Sequence, residues 1–200
     1  MQQVMEMHNK RMVKTMPNGE RRLPVLGAAC LLGALAGSLC CSRLETLQQL
    51  VRSQLEGQCS VWQCFLRDSI LLAGIFFSGF LRAGCAITLL IATVKGFWLS
   101  SFATLGVLKL GNSGYALSLT MWFLPGFLSM VAHLLLGRQA MGWAAARSRL
   151  SAGHGKPFLP DGTYYVTAAV CAGITLIAAI LAVNVTPGLW AAVQTVLPIS

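Results

Sequence analysis

Four places in this 200-residue chain hold residues whose types could do chemistry inside an apolar setting. Arg82 stands in SGFLRAGCAITLL between Gly79 and Gly84, well within a long apolar block. An arginine in mid-span is expensive unless it faces protein or reaches an interface, so it is a functional candidate by default. The competing reading is topological: the two glycines mark a hairpin turn and put Arg82 at the membrane surface. Lys95 and Gly96, in KGFW, are the second candidate, either as the true turn or as a break between a half-helix and the helix after it. His133, in FLSMVAHLLLG, could relay a proton or respond to pH, although a lone histidine more often packs as a hydrogen-bonded residue. Pro125 and Gly126 lie in the same apolar block and are expected to kink it.

Other chemistry is missing from the pattern. The six acids are Glu6, Glu20, Glu45, Glu56, Asp68 and Asp161, and the hydropathy places none of them deep in a span. Paired carboxylates, a metal-ligand cluster, a glycine-rich phosphate loop and a nucleophile with its base are all absent. The reading is therefore a protein that is not an enzyme, with no catalytic, cofactor-binding or metal residues and no cofactor. An ion-coupled carrier usually keeps an acid within the membrane, which counts against that class here.

The elements that must position these residues follow from composition. Charged residues make up 10% of the chain and apolar ones 56%, against about a quarter charged in an average soluble domain. The longest apolar blocks run over 23–39, 69–108, 115–136 and 164–183. A bilayer core takes about 20 helical residues, so the second block holds two passes. Continuous apolarity, rather than short alternating segments, excludes a barrel. The expected fold is all-α, a polytopic transmembrane helical bundle of about five spans. These fall near 23–40, 69–88, 90–108, 115–137 and 164–184, within one membrane domain over 23–200. Arg82 and Lys95 bracket a piece too short to cross, so a broken or re-entrant element is expected in 80–98.

The net charge of +9 sits at the flanks of the spans. Lys10, Arg11, Lys14, Arg21 and Arg22 precede the first span, and Arg138, Arg147, Arg149 and Lys156 precede the last. No basic patch with interleaved aromatics accompanies them, so nucleic acid is not an expected partner. Basic flanks set topology and attract anionic membrane lipids. They put the lead-in 1–22 and a basic loop 138–163 in the cytoplasm and the segment 41–68 outside, in a multi-pass protein whose N-terminus is cytoplasmic. The first block also has the outline of a signal peptide, with an Ala34-Leu35-Ala36 run, but its leader is long and its apolar part is of span length.

After the first span, Leu44, Leu47, Val51 and Leu55 recur at helical spacing, with Arg43, Glu45, Gln49, Arg52 and Glu56 mostly on the other side. Ser42 and Glu45 have capping-box spacing. An amphipathic helix is expected there, either lying on the membrane or serving as a docking surface. Val61, Trp62 and Phe65 beside Arg67 and Asp68 read as an interfacial belt. Of the seven cysteines, Cys30, Cys85 and Cys171 read as small apolar packing residues. Cys40, Cys41, Cys59 and Cys64 fall on the outer side, as free thiols rather than disulfides; their spacing matches no zinc pattern.

From 66 to 145 the order of features resembles a known family. Arg67-Asp68-Ser69 leads into a glycine-containing helix, then a short apolar piece, Lys95-Gly96-Phe97 and SSFATLG, then Leu124-Pro125-Gly126 and HLLLG. This looks like the stage II sporulation protein M family of integral membrane proteins. Many members carry polar residues just after the span proline, whereas Gly126, Phe127 and Leu128 follow Pro125 here. The resemblance implies a noncatalytic scaffold of the engulfment machinery in the bacterial cell membrane. Its implied partners are the extracytoplasmic peptidoglycan hydrolases, stage II sporulation proteins P and D, localised at the septum and met through 42–67. A second reading, from another class, is a small permease or the membrane subunit of an ATP-driven exporter.

Overall fold

The computed structural model describes residues 19–46, 60–110, 124–150 and 160–196. They form five helices: α1 (Gly19–Arg43), α2 (Val61–Ser78), α3 (Gly84–Leu110), α4 (Leu124–Leu150) and α5 (Gly162–Val196). The protein is an all-helical bundle. Four helices are long and apolar enough to cross a membrane, over Arg22–Arg43, Val61–Ser78, Gly84–Leu108 and Gly162–Asn184. A chain with several such helices is a multi-pass membrane protein, since helices satisfy their own backbone in lipid.

Contacts fix the direction of each helix. Asp68 meets Lys95 and Ser78 meets Thr88, so α2 and α3 are antiparallel. Cys85 reaches the Met141 carbonyl and Gly126 faces Leu99, which runs α4 against α3. Gln139 bonds Thr167 and Cys171 lies against the Leu136 backbone, which runs α5 against α4. Cys30 donates to the Ala92 carbonyl and Cys41 to the Ser101 carbonyl, so α1 is parallel to α3. Helices α1, α3 and α5 therefore point one way and α2 and α4 the other. Helix α4 touches all four others. It is not among the four apolar spans, and its central position shields Ser129 and His133, with Gln139 half-buried and Arg138 exposed.

The seam between α1 and α3 is built from small residues. A Cβ added at Gly33 would strike the Thr93 carbonyl, one at Gly37 the Phe97 carbonyl, and one at Gly96 the Cys30 carbonyl. Backbones this close let hydroxyls bridge the helices. Ser100 donates to the Ala34 carbonyl at 2.6 Å, Ser101 to the Gly37 carbonyl at 3.2 Å, and Thr104 lies 3.2 Å from the Ser38 hydroxyl. Lipid gives no hydrophobic drive between helices, so close packing and such bonds hold the pair.

The structure moves several expected boundaries. The second span starts at Val61, not 69, because Ser60 and Gln63 cap one another's backbone in a capping box. The residues read as an interfacial belt are its first two turns. The hairpin turn falls at 79–83, and the 18 residues of α2 make up the length that a start at 69 would have lacked. The break expected in 80–98 is confined to that turn, since α3 runs unbroken through Lys95 and Gly96. Gly96 is there for the approach of α1 rather than to interrupt a helix.

Pro125 does not kink α4. It stands in the first turn, where its missing N–H has no intrahelical partner to lose. Residues 138–150 are helical and not a loop, so the expected basic loop 138–163 begins inside α4. Ser42 lies within α1 and its hydroxyl donates to the Leu39 carbonyl. Most of the expected amphipathic helix and Cys59 lie outside the described residues. So do most of the lead-in 1–22 and residues 115–123 of the expected fourth span.

Candidate intramembrane polar site

Lys95 and Asp68 form a salt bridge inside the bundle, with Nζ 2.7 Å from Oδ1. Their side chains are 11% and 17% exposed. The depth follows from the helices. Ser78 ends α2 ten residues beyond Asp68, and Gly84 starts α3 eleven residues before Lys95. At 1.5 Å per residue the pair stands about 15 Å from the 79–83 turn, near the middle of a bilayer core of about 30 Å.

A third helix completes the arrangement. The Ser129 hydroxyl on α4 donates to the second carboxylate oxygen of Asp68 at 2.5 Å. One turn later His133, 3% exposed, places Nδ1 2.6 Å from the Ser129 carbonyl oxygen. A carbonyl only accepts, so Nδ1 carries the hydrogen and Nε2 holds the lone pair of the neutral ring. Nε2 is buried, and no protein donor or acceptor among the described residues reaches it. The site thus holds one anion, one cation, one hydroxyl and one imidazole, contributed by α2, α3 and α4.

An isolated charge in hydrocarbon costs several kcal/mol, and pairing is what makes both charges tolerable. Each Asp68 oxygen has one partner, and the pair is neutral overall. Among the described residues no group of three or more His, Cys, Asp or Glu side chains is placed to hold a metal ion.

The other sequence candidates fall elsewhere. Arg82 is exposed in the 79–83 turn. That turn lies at the same end of the bundle as Arg22, whose guanidinium would meet a Cβ at Gly142. Arg147 is there too, donating to the Phe80 carbonyl and lying 5.7 Å over the Phe80 ring. Beside it, Tyr164 is fully buried, stacks on Phe76 and donates to the Phe76 carbonyl at 2.7 Å. Gly126 packs under Leu99, and Pro125 opens α4. Of the residues singled out from sequence, only Lys95 and His133 come together in the site.

Asp68 corrects the expectation that no acid lies deep in a span. It looked interfacial because the apolar block seemed to begin just after it. The signal that would have found it is Ser60 with Gln63, a helix start eight residues upstream. The ten-residue interval from Asp68 to Ser78 then gives its depth. The six described cysteines form no disulfide with one another. Comparison with known protein families, with curated proteins and with solved structures finds no match.

Proposed function

We propose that this chain is a noncatalytic integral membrane scaffold. The observation that carries the reading is the use of its polar groups. Asp68, Lys95 and Ser129 bind three helices to one another, and hydroxyls along α3 bind α1. Such contacts suit a rigid platform. Arg82, the residue best suited by type to a substrate path, stands in a surface turn. By the order of features over 66–145, the scaffold belongs to the engulfment machinery of a bacterial cell membrane and localises peptidoglycan hydrolases, stage II sporulation proteins P and D, at the septum. Arg22, Arg82 and Arg147 gather at one end of the bundle. The positive-inside rule puts that end in the cytoplasm, with the N-terminus of α1. The segment between α1 and α2 then faces outward, where such hydrolases act.

Affinity capture from membranes of sporulating cells, through a tag on the N-terminus, tests the reading. Recovery of a wall hydrolase is the expected result; its repeated absence from an intact, folded preparation would sink the scaffold role.

One observation favours a second reading, a small permease or the membrane subunit of an ATP-driven exporter. The missing intramembrane acid counted against ion coupling, and Asp68 supplies one beside Lys95 and His133. Co-purification of an ATPase, or solute flux in proteoliposomes that stops in Asp68→Asn, would select this reading.

A further inference from the structure

The basic end of the bundle has only a topological role in the scaffold reading and none in the permease reading. We infer that the rim formed there by the start of α1, the 79–83 turn and α4 binds the phosphodiester headgroup of an anionic lipid, held by the guanidiniums of Arg22 and Arg82. The inference is separate from the scaffold role and can fail without it.

Three segments of the chain meet at this rim. A Cβ at Gly84 would stand 2.9 Å from that of Ala144, and Cys85 reaches the Met141 carbonyl at 3.6 Å. The end of the turn therefore lies against residues 141–144 of α4. On the same stretch Gly142 has no side chain, and the Arg22 guanidinium of α1 takes the space, with Nη1 2.5 Å from where a Cβ would be. Arg82, two residues before Gly84, is exposed in the turn. Arg147, five residues past Gly142, is anchored on the Phe80 carbonyl and ring. Arg138, exposed one turn deeper on α4, adds to the same field.

Charge and shape together select the ligand. Of the described acids, Glu45 lies past the far end of α1 and Asp68 is held by Lys95. That leaves Asp161 near the basic end, where its carboxylate accepts the Tyr164 N–H at 3.2 Å. In the sequence Glu20 is offset by its neighbour Arg21. The rim is thus net positive, and its cations are guanidiniums, whose forked N–H groups match the paired oxygens of a phosphodiester. Leu23 and Val25 of α1 and Leu81 of the turn are exposed beside Arg22 and Arg82. A cationic rim above apolar side chains fits an amphiphile, with phosphate at the guanidiniums and acyl chains along the leucines. A free phosphate would use only the first half of that surface. Basic pockets between membrane helices serve anionic headgroups in this way.

The test takes the full chain, in mixed micelles with equal amounts of phosphatidylglycerol and phosphatidylcholine, to native mass spectrometry. The expected result is preferential retention of phosphatidylglycerol. R82Q and R22Q should each lower that retention about five-fold, the worth of one basic residue at an anionic surface. R43Q removes the same charge from the exposed far end of α1 and should leave retention unchanged. Equal retention of the two lipids would overturn the inference, and so would a loss in R43Q as large as in R82Q. Glycerol phosphate that displaces the lipid at equal concentration would reveal a site for a free anion and overturn the lipid assignment. Should R22Q fail to fold, having lost its packing on Gly142, R82Q decides the outcome from its exposed turn.

Discussion

Helix α3 presents two faces that solve the same problem in opposite ways. Toward α1 it offers Gly96, Ser100, Ser101 and Thr104, and the helices join because side chains are small enough for backbone contact. Toward α2 and α4 it offers Lys95, and the helices join because a charge must be neutralised. The first face depends on close approach along its length and has no single dominant bond. The second adds a buried ion pair with its hydroxyl partner Ser129 to the weaker bonds of Thr88 with Ser78 and of Cys85 with the Met141 carbonyl. In lipid both devices replace the hydrophobic drive that packs helices in water. They should fail differently: steric change harms the first, and loss of one partner harms the second.

The largest effect is expected on the charged face. Lys95→Met leaves Asp68 buried without its cation and should cost about 3–5 kcal/mol, the usual range for breaking a buried pair. Equilibrium unfolding in mixed micelles measures it. Adding Asp68→Asn should restore most of the loss, because neutral partners carry no such desolvation cost. A double variant no better than Lys95→Met would mean that the pair is not the source of the effect.

Ser129→Ala removes a hydrogen bond to a charged acceptor and should cost about 1.5–3 kcal/mol in the same assay. Gly96→Leu probes the other face and should cost about 1–3 kcal/mol through overpacking against the Cys30 carbonyl. Its particular signature is spatial: a disulfide between native Cys41 and Ser101→Cys should form readily in the parent and poorly once α1 is pushed away. Equal cross-linking in both would remove the seam from the argument. At the bottom of the scale, Arg82→Leu should change stability by no more than about 0.5 kcal/mol, as surface substitutions usually do. A change of several kcal/mol would place Arg82 in contacts beyond the exposed turn.

The same contrast explains what could be read without a structure. The α1–α3 seam went unread: Gly33 and Gly37 stand four apart in an apolar helix, but nothing in the chain says which helix they meet. The charged face was half legible. Lys95 and His133 stand out against apolar neighbours, whereas Asp68 borders the apolar block and looked like part of its rim. Hydropathy averages over a window and puts a span's edge where polarity falls. The helix edge is instead set by a hydrogen-bonded cap, Ser60 with Gln63, eight residues earlier. That displacement moved an acid from the surface to mid-membrane.

Composition by itself determined the solvent and the class of fold. A chain this apolar, with charges at the ends of long blocks, has to satisfy its backbone within helices, and that depends only on residue type and length. Pairing was decided by the folded bundle. Asp68, Lys95 and Ser129 are separated by 27 and 34 residues along the chain, and only the hairpin at 79–83 and the antiparallel return of α4 bring them within hydrogen-bond reach. A buried charge is tolerable only beside its counter-charge, and partners that far apart along a chain meet in space or not at all.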